Sequence, residues 1–210
     1  MSCCFGFISI HKTETNHSIY HINNVTPSDE DITIATNSWI KILSATAEGF
    51  LHAKETKTID EHSTPIIFFY NTFFDIWKKK DATILENIYK NNVKIKSKSM
   101  IAMVAFILKC KKHTTAEILQ MVKHHNMMGI KTHHFSLMGE VIIETIMTVL
   151  DKKDYNHPVI VAWRNIMSYM VEKIELATTL KIKHNSSPAH SIRGGGGSAS
   201  VKSSAVVVEK

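Results

Sequence analysis

The sequence predicts an all-α protein. Apolar residues make up 44% of the 210-residue chain, and breakers are few, at 8 Gly and 4 Pro. Long stretches repeat their apolar residues at helical rather than alternating spacing. A chain of this length suits one domain with tails and can bury a sizeable core.

Residues 1–25 are polar, rich in His and Asn, and read as a mobile extension. Thr26-Pro27-Ser28 then looks like a helix start, with Ser28 as N-cap and Asp29, Glu30 and Asp31 in the first turn, where the helix dipole favours negative charge. Ile32, Ala35, Trp39, Ile42 and Leu43 follow at helical spacing, and a polar segment from about Lys54 to Ser63 breaks the pattern. Pro65 opens a second helix, PIIFFYNTFFDIW, which is apolar almost all round and therefore central.

From Lys78 to Asn92 the chain suits short helices and turns, anchored by Ile84, Leu85, Ile88 and Tyr89. A strong helix is expected from about Lys96 to Lys109, with Met100, Met103, Val104 and Ile107 on one face. Thr114 or Thr115 caps the next helix, AEILQMVKHH, which carries Glu117 in its first turn. Gly129 ends that helix in a left-handed conformation. Helices near 135–150 and 158–180 complete a domain spanning 26–180. Residues 181–210 are low in complexity, dominated by Gly, Ser and Ala, and expected to be disordered.

The net charge of +6 comes largely from Lys-rich runs such as Lys78–Lys80 and Lys109–Lys112. These read as solvated helix ends; single-strand binders interleave aromatics with such charges, and none are interleaved here, so no nucleic-acid partner is expected. Three cysteines, Cys3, Cys4 and Cys110, make neither a disulfide framework nor a zinc site and suit a reducing, cytoplasmic compartment. Ser2 excludes N-myristoylation, and Cys3 and Cys4 are the candidates for acyl anchoring. The opening MSCCFGFISI is a poor secretory signal, and no apolar run reaches membrane-spanning length.

The densest chemistry lies in VKHHNMMGIKTHHF, Val122 to Phe135, with four histidines in one short stretch. Ile118, Leu119, Val122 and His125 fall at i, i+1, i+4 and i+7, so one helix face carries three aliphatic residues and then an imidazole. A histidine in that position is either a core side chain hydrogen-bonded to backbone or a metal ligand. His124, His133 and His134 read as surface residues.

In this company the sequence resembles the globin family, especially its single-domain bacterial and flavohaemoglobin-like members. The pattern is His125-Asn-Met-Met-Gly129-Ile130, then His134-Phe135, then Gly139. Ser38-Trp39, Phe69-Tyr70-Asn-Thr-Phe73-Phe74, NNVKIKSKSMIAMV and Ala162-Trp163 match further globin segments in the right order. The resemblance covers about residues 26–180. It implies a three-on-three helical sandwich of about seven or eight helices around a pocket for haem b.

By that resemblance His125 is the proximal iron ligand, and Tyr89, Met100, Val104, Met121, Ile130 and Phe135 contact the haem. On the distal side it places Tyr70, with a hydroxyl able to donate to a bound diatomic ligand (O2, NO or CO), together with Met100. Lys96 occupies the place usually held by His or Gln, facing solvent or a propionate, or ligating iron if deprotonated. There are departures from the family pattern. Tyr89 is the best match for the haem-stacking phenylalanine, but the interval from Tyr70 is about five residues longer than usual. Phe135 stands where flavohaemoglobin-like globins carry a tyrosine, and Thr178 near their glutamate, so two partners that raise imidazole basicity are missing. The expected function is reversible binding of a diatomic gas for storage, transport or scavenging. The alternatives are a nitric oxide dioxygenase served by an external reductase and a haem-based sensor.

Overall fold

The computed structural model describes residues 25–83, 85–86 and 97–185, without the side chains of 97, 152–153 and 181–185. The expected extension 1–25, except its last residue, and the tail from 186 lie outside these residues, as do Ile84, Ile88, Tyr89 and Lys96. All regular structure among the described residues is helical. The helices are α1 (Asp29–Leu43), α2 (Glu48–Glu55), α3 (Pro65–Lys80), α4 (Ser97–Leu108), α5 (Thr115–Met127), α6 (His134–Asp154) and α7 (His157–Asn185). A 3-10 turn, Cys110–Lys112, closes α4.

The helix starts follow from capping chemistry. Ser28 Oγ accepts the Asp31 N–H at 3.0 Å while the Asp31 carboxylate accepts the Ser28 N–H at 2.8 Å, a reciprocal capping box. Thr114, rather than Thr115, does the same for α5 with Glu117, and the bonds from Thr114 hold the Glu117 carboxyl below its ordinary range. Thr64 caps α3 with Pro65 at its first positions, where proline's missing N–H costs nothing.

Two features depart from the sequence reading. A short helix, α2, follows α1 after a break at Ala45, whose φ of 63° is left-handed. Its periodicity is short and weak, and it owes its place to Phe50 and Ala53, which are buried. Gly49 lets α2 lie directly on α6: a Cβ there would meet the carbonyl oxygens of Thr148 and Val149, the latter at 2.7 Å. The last helix also continues past the expected edge at 180, to Asn185.

α6 and α7 form the centre. α1, α4 and α5 lean on α7, α2 and α3 lean on α6, and α6 packs against α7. Buried side chains from all seven helices join in one core, in which Trp163, Phe69 and Phe73 are the largest fully enclosed residues. Ser38 pins α1 to α7. Its hydroxyl donates to the Ala35 carbonyl at 2.7 Å and accepts the Trp163 indole N–H at 2.9 Å, so both buried groups are satisfied. Lys173 Nζ donates to the carbonyls of Cys110 and His113, fixing the end of α4 to α7.

Candidate functional site

α4 and α5 both pack against α7 yet make at most marginal contact with each other. Between them lies a cavity of about 690 Å³, within the range of about 300–1,000 Å³ usual for ligand sites. Its wall is apolar. Among the described lining residues only Ser99, His124, His125 and the Trp77 indole bear side-chain N or O atoms.

α5 delivers His125 to this wall. Ile118 and Val122 bury one stripe of the helix, and Met121 and His125, one turn apart, line the cavity. The His125 Nδ1 lies 2.9 Å from the Met121 carbonyl oxygen. A carbonyl only accepts, so Nδ1 carries the proton and Nε2 is left as the lone-pair nitrogen. Nε2 has no hydrogen-bond partner among the described residues. Burial pushes the imidazole pKa below its ordinary value of 6.5, against the smaller upward pull of the Met121 carbonyl, and His124 adds to the lowering. The neutral ring is therefore the form present near pH 7, which is the form that ligates a metal.

The end of α5 is held by backbone geometry. Gly129 adopts φ 86°, and the Ile130 N–H returns to the His125 carbonyl at 3.0 Å. This left-handed turn carries the chain into α6 and sets Phe135 against His125, ring centroids 5.2 Å apart and edge-on.

Of the residues singled out from sequence, His125, Met100, Met121, Ile130 and Phe135 line the same cavity. Val104 is fully buried but is not among the lining residues. Neither is Tyr70, whose ring packs on Phe74 at 4.7 Å; Phe74, one turn on, is in the wall. Tyr89 and Lys96 lie outside the described residues. His124 is exposed at the cavity mouth, its ring 6.2 Å from that of His125. His133 and His134 pack on each other at 4.0 Å, away from the lining. Thr178 spends its hydroxyl on the Ile174 and Glu175 carbonyls.

Sequence reasoning missed much of the wall: Phe73, Trp77, Met103 and Phe106, and from α7 Met167, Met170, Val171 and Ile174. The α7 set has the spacing i, i+3, i+4, i+7, an apolar stripe visible in sequence. Nothing in that spacing separates a cavity wall from solid core.

Among the described residues no cluster of three or more His, Cys, Asp or Glu could hold a metal ion, so a metal here needs a cofactor to supply its other ligands. No described helix is long and apolar enough to cross a membrane. The globin family model matches residues 72–174, from α3 through the cavity-lining part of α7. Comparisons with curated proteins and with solved structures found no match. Globins typically bind haem, and through it diatomic gases; an apolar cavity with one neutral imidazole in its wall fits that group. The helical architecture and the matched segment together make the chain a member of the globin family.

Proposed function

We propose that the protein binds a diatomic gas reversibly on haem b, which the cavity between α4 and α5 would hold through its iron at His125 Nε2. The observation that carries this reading is the His125–Met121 hydrogen bond at 2.9 Å in the wall of an apolar cavity. It holds the imidazole in one tautomer and one orientation, as metal-ligating histidines require. Haem, when bound, supplies the iron at which the gas is held. The chain's own residues do the rest. Met121, Ile130 and Phe135, which line the cavity with His125, and Met100 from α4 would hold the cofactor's apolar ring, and the apolar wall keeps water out.

Reversible binding for storage, transport or scavenging is favoured over nitric oxide dioxygenation by the surroundings of His125. Its Nδ1–H is bonded to a neutral carbonyl, its ring neighbour Phe135 has no hydroxyl, and the Thr178 hydroxyl is engaged within α7. A carboxylate partner would push electron density onto the ring, which oxidative haem chemistry exploits; a carbonyl does so less. Optical spectra of the purified protein in the ferric, ferrous and carbon monoxide forms test the proposal. A Soret band that shifts on carbon monoxide addition is expected; a protein that retains no haem would overturn it.

A further inference from the structure

We infer that the axial position opposite His125 is taken by a methionine thioether from α4, Met100 or Met103, which an external ligand must displace. This rests on the haem reading above. Most of the chain's ten methionines line the cavity, including Met100 and Met103 from α4 and Met167 and Met170 from α7. His125 enters the cavity from α5, and α4, in at most marginal contact with α5, forms another part of the wall. The described α4 residues in that wall are Ser99, Met100, Ala102, Met103, Phe106 and Ile107.

Only three of these carry a lone pair able to reach a metal: the Ser99 hydroxyl and the two thioethers. Ser99 is exposed, and a neutral alcohol is a poor ligand for haem iron. Met100 is 3% exposed and Met103 is half-buried, and both side chains belong to the apolar wall. Tyr70, the candidate hydroxyl donor to the ligand, is not in the lining, and Lys96 lies outside the described residues. Thioether is a soft ligand that stabilises ferrous over ferric haem and raises the reduction potential. Methionine's three rotatable bonds let the same side chain swing aside when a gas arrives. The thioether then acts as an internal competitor, lowering apparent affinity and slowing ligand entry.

The test uses the full chain with haem, as wild type, Met100→Leu, Met103→Leu, the double variant and Lys96→Ala. Leucine keeps the volume and apolarity of methionine, and thermal melts confirm that each variant folds. The ferric wild type is expected to be low-spin, with the long-wavelength charge-transfer band of thioether–iron ligation. That band should be lost in one single variant and in the double variant. In the same variant the reduction potential should fall, and carbon monoxide binding to the ferrous form should lose its slow phase. A wild type that binds haem but lacks the band, or a double variant with an unchanged spectrum, overturns the inference and leaves the haem reading standing. A low-spin spectrum without the band that is lost in Lys96→Ala assigns the position to an amine and likewise overturns it. Failure of every protein to bind haem overturns both.

Discussion

The Nδ1 of His125 and the carbonyl oxygen of Met121 lie 2.9 Å apart, one helical turn from each other, and this contact decides which nitrogen of the ring is available to the cavity. It also separates His125 from His124, its sequence neighbour, which sits exposed at the mouth.

His125→Ala should therefore abolish stable haem binding, whereas His124→Ala should leave the haem content of the purified protein close to wild type. Pyridine haemochrome assay on both variants checks this. Haem loss in the second variant alone would move the axial ligand to His124.

Acid should destabilise the haem-free protein through the same ring. Burial lowers the folded-state pKa of His125 below 6.5, so the stabilisation is complete above that value. As pH falls below it, the unfolded chain takes up a proton that the folded chain refuses, and stability drops until the depressed folded pKa is passed. His134, also lowered chiefly by burial, acts in the same direction. Urea unfolding at about pH 7.5 and about pH 5.5 should show a smaller loss for His125→Gln than for wild type. Equal losses would assign the acid sensitivity to other groups.

Ser38→Ala should cost about 1–3 kcal/mol, because it strands the buried Trp163 indole N–H without an acceptor. Adding Trp163→Phe removes the stranded donor, so Ser38→Ala should cost less in that background. A double-mutant cycle by chemical denaturation measures the coupling, and a coupling near zero would show that water replaces the hydroxyl.

Two glycines separate local strain from packing. Gly129→Ala puts a Cβ on a residue at φ 86° and should cost about 1 kcal/mol. It should also weaken haem retention, because the turn places Phe135 beside His125. Gly49→Ala meets backbone carbonyls of α6 that cannot swing away, and should cost about 1–3 kcal/mol with haem affinity little changed. Thermal melts and haem-transfer rates distinguish the two outcomes.

Much of the fold was legible along the chain because its signals are local. Ser28, Thr114, Pro65 and Gly129 act within a turn or two of themselves, through caps and a left-handed φ that any reader of sequence can anticipate. The His125 face was legible for the same reason, since helical spacing alone sets it beside Ile118 and Val122. α2 was not, because eight residues with two buried anchors gain their order from α6 rather than from their own periodicity. The cavity wall was legible only as apolar stripes, and Tyr70 and Phe74, a single turn apart on α3, could not be told apart by motif.

By itself, then, the sequence determined the longer helices, their caps and the helix face that carries His125, because hydrogen bonds and side-chain periodicity within one helix depend on near neighbours. Tertiary structure alone decided that α4 and α5 stand apart, that methionines line the cavity between them, and that Ser38 meets Trp163. Those outcomes depend on how distant helices pack, and a void between two apolar faces leaves the same pattern in sequence as a contact between them.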